Sequence, residues 1–174
     1  MRKVILGVAI SLDGLIEGPG GEYDWCFTDQ DYGMGEFLRG VDALFFGRKS
    51  YEMMAQAGGG GPNPFGKKRN YVFSSTKKFE GEDLETIRSL EEVKKIKSLP
   101  GKNIWLFGGS SLAASLINAG MVDEVWLAVH PIVLGRGKPL FSGVERRIAM
   151  KLVETISYDT GLVSLKYDVL PAQS

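Results

Sequence analysis

Apolar residues fall along this chain in two rhythms, short continuous runs and helical repeats, and the two alternate. Val4 to Ile10 is a β-branched run bounded by Asp13 and Gly14, the composition of a strand buried on both faces. Ala43 to Phe46, Asn70 to Phe73, Asn103 to Phe107 and Val122 to Val129 repeat that pattern. Between them, Arg48 to Ala55, Ser89 to Lys97 and Leu112 to Ala119 read as helices. Ser89 and Glu92 have the spacing of a capping box, Val93, Ile96 and Leu99 share one helix face, and Gly120 stops the last of the three. Gln30 to Arg39 predicts a further helix, weakened by Gly33 and Gly35. Near the C-terminus the rhythm changes: Met150 to Tyr158 and Leu162 to Leu170 alternate across Asp159, Thr160 and Gly161, a hairpin signal. Strands alternating with helices predict an α/β fold with a largely parallel sheet, and the hairpin adds an antiparallel edge.

Two stretches break the pattern. Ser11 to Thr28, with Gly14, Gly18, Pro19, Gly20 and Gly21, is too polar and interrupted to predict an element, and loops of that length usually carry function or are disordered. Gly58 to Gly61 with Pro62 and Pro64 predicts a flexible loop.

Composition narrows the function. A chain of 174 residues is expected to form a single domain, residues 1–174, with a substantial core. Its 21 Lys and Arg balance 21 Asp and Glu, so no global field draws it to nucleic acid or to an anionic membrane, and any anion site must be local. One cysteine, Cys26, and one histidine, His130, make neither an internal disulfide nor a zinc or iron cluster, so no metal is expected and a reducing cytoplasm is the expected home. The basic start at Met1, Arg2 and Lys3 precedes an apolar run broken by Gly7, which reads as a first strand and not as a signal peptide.

Candidate chemistry gathers at three strand ends, where open α/β sheets bind ligands. Gly108, Gly109, Ser110 and Ser111 either make only a tight strand-to-helix turn or precede a helix whose N-terminus would face a phosphate across glycines that leave it room. Gly47, Arg48, Lys49 and Ser50 form a second end, which is either a solvated first turn or an anion site, since two cations at a helix start oppose the macrodipole unless an anion joins them. Ser74, Ser75 and Thr76 form a third, and there the hydroxyls suffice as turn caps.

Taken in order, these motifs make the sequence similar to the dihydrofolate-reductase-like superfamily. It most resembles the C-terminal reductase domain of bifunctional riboflavin-biosynthesis deaminase/reductases and their stand-alone relatives. The resemblance rests on Ser11-Leu12-Asp13-Gly14, Gly47 to Glu52, Phe73 to Thr76, Phe107 to Ser110, and the run from Val122-Asp123-Glu124 through His130-Pro131 to Gly135-Arg136-Gly137-Lys138-Pro139-Leu140-Phe141. It implies a three-layer α/β sandwich that binds NADPH and reduces a small pyrimidine or pterin-like heterocycle. An aminouracil carrying a ribosylamino phosphate is the first substrate to consider, with dihydrofolate reduction or non-catalytic NADPH binding as alternatives. By the same resemblance Arg48, Lys49, Ser74, Ser75 and Thr76 flank the adenosine 2′-phosphate. Ser50 and Gly109 to Leu112 (Gly109, Ser110, Ser111, Leu112) hold the diphosphate beside Gly47 and Gly108, and Gly108–Gly109 is a cis peptide. The nicotinamide lies near Ala9, Ile10, Asp13 and Gly14. A homodimer is also implied.

The proton source is open from sequence. Asp31, with Asp29 as its rival, stands where a folate reductase carries its acid, yet aspartate there also caps a helix. Asp13 either contacts substrate or makes the Asp-Gly turn, and His130 either relays a proton or packs. Tyr23, Trp25 and Phe27 form an aromatic lid or pack in the core, and Arg136 and Lys138 meet a phosphorylated tail or solvent. No arginine suited to a folate glutamate tail lies between the Gly-Arg motif and the Asn70 strand. One Cys and one His cannot build the zinc site of a deaminase.

Overall fold

The computed structural model describes residues 1–57 and 65–171, so the glycine- and proline-rich run at 58–64 lies outside the described residues. Eleven strands and four helices follow in the order β1 (Val4–Ser11), β2 (Leu15–Glu17), α1 (Met34–Gly40), β3 (Val41–Gly47), α2 (Arg48–Ala57), β4 (Arg69–Phe73), β5 (Glu80–Gly81), β6 (Leu84–Ile87), α3 (Leu90–Ser98), β7 (Asn103–Gly108), α4 (Ser110–Asn118), β8 (Glu124–His130), β9 (Lys138–Pro139), β10 (Met150–Ser157) and β11 (Val163–Val169), among the described residues. Nine strands form one sheet in the order β10-β11-β8-β1-β7-β3-β4-β6-β5. The six from β8 to β6 run parallel, while β11, β10 and β5 are antiparallel to their neighbours. The mixed, mostly parallel sheet with a terminal antiparallel hairpin is the architecture that the alternating pattern predicts.

The central strands are continuous apolar runs because both faces are covered. Along β3, Ala43 and Phe45 enter a cluster with Val93 and Ile96 of α3 and Leu112, Ala113 and Leu116 of α4. Val41, Leu44 and Phe46 enter the opposite cluster, with Phe37 of α1, Tyr51 and Met54 of α2, and Trp105. Leu6, Leu44, Phe45, Phe46 and Leu106 are fully buried. Truncating such a leucine to alanine costs about 2–5 kcal/mol, so this packing fixes the strand order. Helix α3 starts as its spacing predicts: Ser89 accepts from the Glu92 N–H, and the Glu92 carboxylate accepts from the Arg88 N–H. No helix among the described residues is long and apolar enough to cross a membrane.

Local sequence misleads in three places. Helix α1 begins at Met34, not Gln30, because Tyr32 and Gly33 take positive φ values of 51° and 84° and turn the chain first. The 11–28 loop contains β2, a three-residue strand that exists by pairing with β9, 120 or so residues on, and so leaves no local trace. Strand β6 extends the sheet beside β4 from a stretch whose charges hide its alternation.

The loop between β2 and α1 is tied to the end of β8 by His130, which is 2% exposed. Its Nδ1 lies 2.9 Å from the Ala128 carbonyl oxygen, which can only accept, so Nδ1 carries the proton. Nε2 accepts from the Phe27 N–H at 3.1 Å, and Trp25 and Phe27 set their rings edge-on to the imidazole at 5.3 and 5.0 Å. The imidazole is thus held neutral in one tautomer, and burial lowers its pKa from 6.5. As pH falls through 6.5, the unfolded chain takes up the proton that the folded chain resists, so stability is full above that value and declines below it. Urea midpoints should therefore drop between pH of about 7 and about 5.5, and His130→Gln should flatten the slope. An equal slope in both proteins would show that His130 does not couple the loop to pH.

Candidate functional site

Because β8, β1, β7, β3 and β4 are parallel, their carboxyl ends open on one edge of the sheet, and the residues after them meet there. Gly47 and Gly108 end neighbouring strands: a Cβ on Gly47 would lie 3.7 Å from the Gly108 oxygen and 3.8 Å from the Gly109 nitrogen. The Gly108–Gly109 peptide is cis. Gly109 then caps α4 without offering a side-chain acceptor, and the helix has no acidic residue in its first turn. Its first N–H groups, through Ser110, Ser111 and Leu112, point at the edge with their positive dipole end. A Cβ on Gly109 would stand 3.3 Å from Ser50 Oγ and 4.0 Å from Lys138 Nζ, so a hydroxyl, an ammonium and a helix start converge on one small space that glycine leaves open. Lys138 thereby reaches this space, while Arg136 is exposed in the loop before it.

A second cluster lies where α2 and the end of β4 meet. Arg48 Nη1 is 3.2 Å from one oxygen of Glu52, and Lys77 Nζ is 2.6 Å from the other. These two cations hold the Glu52 carboxyl below the usual range, the Lys77 hydrogen bond first. Ser74 is buried and its Oγ accepts from the Lys77 N–H at 2.9 Å, which turns the chain so that Lys77 reaches Glu52. Ser75, Thr76 and Lys49 are exposed around the pair. Lys77 was not singled out from sequence, although it directly follows the Ser-Ser-Thr run. What carries it into the site is the turn made by Ser74.

The acidic candidates are each engaged in loop geometry. The Asp13 carboxylate accepts from Ser11 Oγ at 2.7 Å, from the Leu134 N–H at 3.1 Å and from the Gly135 N–H at 2.8 Å. Those donors, the Ser11 hydroxyl foremost, lower its pKa to about 2. It joins the loop after β1 to the loop after β8 and is ionised near neutrality. Asp31 is exposed and gives one oxygen to the Gly35 N–H at 2.9 Å, and Asp29 accepts from the Tyr32 hydroxyl at 2.7 Å. Ala9 is half-buried on β1 and pairs with Ala128 of β8, while the Gly14 carbonyl accepts from the Leu140 N–H at 3.0 Å. No group of His, Cys, Asp and Glu among the described residues is arranged to hold a metal ion.

The chain is similar to known proteins in sequence and in fold. The model of the RibD C-terminal domain matches residues 2–164. The uncharacterised protein YyaP of Bacillus subtilis is 43% identical over 177 residues, covering 95% of this chain and 94% of its own. Among solved structures, a putative riboflavin biosynthesis protein from Shewanella sp. PV-4 superposes with a TM-score of 0.83 at 22% identity, over 98% of this chain and all of that one. Dihydrofolate reductase from Enterococcus faecalis, solved in complex with NADP(H) and RAB-propyl, superposes with a TM-score of 0.68 at 19% identity, over 96% and 94% of the two chains. The fold is therefore dihydrofolate-reductase-like, and the chain belongs to the RibD C-terminal domain family.

Proposed function

We propose that this protein is an NADPH-dependent reductase of a small pyrimidine-like heterocycle, with the aminouracil ribosylamino phosphate of riboflavin biosynthesis as its first substrate to test. The observation that carries this reading is the meeting of two separate anion-friendly clusters on one sheet edge, the Gly109 cradle and the Arg48–Lys77 pair. A dinucleotide with a 2′-phosphate has two anionic groups to satisfy, and an NADH site would have no use for the second cluster.

Within this reading, Arg48 and Lys77 take the 2′-phosphate, with Lys49, Ser75 and Thr76 exposed beside them. Glu52 ties the two cations together and keeps them at the ends of β3 and β4 before any phosphate arrives. Ser50 and the first N–H groups of α4 take the diphosphate, and Ala9, Ile10 and Gly14 line the path toward the nicotinamide. The bound cofactor supplies a hydride. This chain must then orient the acceptor and deliver a proton. We assign Asp31 to relaying a proton from water to the substrate, since its carboxyl is exposed to solvent and is tied only through one oxygen to the Gly35 N–H. Asp13, ionised and committed to three donors, holds the two loops in register.

Titration of the three tryptophans' fluorescence should show tighter binding of NADPH than of NADH. Arg48→Ala should raise the NADPH Kd by roughly 10–100-fold and leave NADH nearly unchanged. No binding of either nucleotide would remove the basis for a reductase.

Given turnover of the aminouracil, Asp31→Asn should lower kcat by about 100-fold while leaving the NADPH Kd intact, the range for loss of a general acid. Asp13→Asn should act differently, weakening loop order and raising KM with it. If neither variant matters and no heterocycle is reduced, the protein is a cofactor-binding module.

We further propose a homodimer that closes the outer edge of β10. That edge strand exposes Leu152, Val153 and Ile156 at 50, 54 and 41%, and unpaired edges of this length seek a partner. Light scattering should give twice the 19.0 kDa chain mass, and Val153→Lys with Ile156→Lys should halve it. A monomeric wild-type protein would refute the pairing.

A further inference from the structure

We propose that Lys138 is a direct ligand of the cofactor's diphosphate, an assignment that rests on the NADPH reading and adds a residue to it. The sequence leaves Lys138 between solvent and a substrate phosphate. Its position in the fold settles on neither.

Lys138 lies on β9, whose two residues pair with β2, Glu17 opposite Lys138 and Leu15 opposite Pro139. The pairing is close. Gly137 has φ of 148°, and a Cβ there would fall inside contact distance of the Glu17 carbonyl oxygen, so only glycine lets β9 approach. On the other side, Leu140 is 2% exposed and its N–H donates to the Gly14 carbonyl at 3.0 Å. Lys138 thus leaves a backbone fixed at both flanks. Its Nζ comes within 4.0 Å of the Cβ position on Gly109, the point that Ser50 Oγ approaches to 3.3 Å.

Electrostatics explain why an anion belongs there. The start of α4 already presents a positive dipole end and no acidic side chain, so an ammonium beside it is repelled. The carboxylate of Glu17 offsets this only in part, at 3.8 Å from Nζ with both side chains partly exposed. A diphosphate oxygen placed over Gly109 would accept from Ser50, from the α4 N–H groups and from Lys138 together. An ammonium suits this role because it acts as a point charge and needs no fixed fork. A ligand shared by all three is the diphosphate, since the 2′-phosphate has its own cations at Arg48 and Lys77.

The test compares Kd values of wild type, Lys138→Met and Lys138→Arg for three probes: NADPH, NADH and adenosine 2′-monophosphate, which has the 2′-phosphate but no diphosphate. Lys138→Met should weaken NADPH and NADH by the same factor, on the order of tenfold, leave adenosine 2′-monophosphate unchanged, and recover with Lys138→Arg. The loss should shrink as salt rises. Circular dichroism and the urea midpoint of each variant check that the fold is kept. Unchanged dinucleotide Kd values with a raised KM for the heterocycle would overturn the proposal in favour of the substrate's phosphate. A loss confined to NADPH would move Lys138 to the 2′-phosphate and overturn it as well. Wild-type protein that binds no dinucleotide would overturn the NADPH reading itself, an outcome distinct from wild-type binding that Lys138→Met leaves untouched.

Discussion

The parallel pairing of β8, β1, β7, β3, β4 and β6 is the constraint on which the rest of the structure depends. Strands that run the same way must end on the same edge, and every connection between them must cross a face of the sheet. Covering both faces with α1 and α2 on one side and α3 and α4 on the other makes the middles of the central strands apolar. It also delivers the starts of α2 and α4 to the edge where the strands finish. Packing energy and anion affinity therefore have a common origin: the same topology that buries Phe45 and Leu106 sets Gly47 beside Gly108.

Charge distribution distinguishes this edge from the opposite one. A cleft of about 620 Å³ opens at the amino ends of the strands, lined by Arg2, Asp42, Arg69 and Glu85 among others. Most of its charges are already answered. Arg2 pairs with Asp42, Arg69 Nη2 lies 3.0 Å from Glu85, and Lys68 donates to the carbonyls of Leu38 and Val41 at 2.8 Å each. At the carboxyl edge, two cations share the single carboxylate of Glu52, and Lys138 is only loosely met by Glu17. Unbalanced positive charge beside exposed helix N-termini, and not cavity size, marks where an anion is wanted.

How far this could be read from the sequence depends on whether the cause is local. Strands β1, β3, β7 and β8 and helices α3 and α4 were legible because burial on both faces, a Ser89–Glu92 cap and Gly120 each leave a signal within a few residues. The glycine and hydroxyl turns at Gly47, Ser74 and Gly108 were legible for the same reason. Strands β2 and β9 were not, since each exists only by meeting the other. Lys77 and Lys138 were hidden or ambiguous likewise: one is delivered by a turn at Ser74, the other by the close approach that Gly137 permits, and neither event has a local pattern. The family resemblance pointed to the glycine and hydroxyl turns, passed through Lys138 without giving it a single role, and stopped one residue short of Lys77.

The two loops that would face the nicotinamide are bound to each other as well as to the core, where Leu140 is buried and Ile16 packs. Asp13 reaches from the loop after β1 to the N–H groups of Leu134 and Gly135, and the Leu12 N–H donates to the Ile132 carbonyl at 2.8 Å. The β2–β9 ladder continues the same seam toward Lys138. His130 anchors the aromatic segment at Trp25 and Phe27 to that seam's starting point. Each link spans more than a hundred residues of sequence, and each uses a polar atom that could otherwise serve chemistry. Asp13 illustrates the consequence: a carboxylate lowered to about 2 by its loop donors stabilises the assembly only while ionised, so the charge that fixes the loop is the charge that disqualifies it as a proton donor near neutrality. Order in the loops and acid catalysis compete for the same oxygen atoms, and in this chain the loops hold those of Asp13.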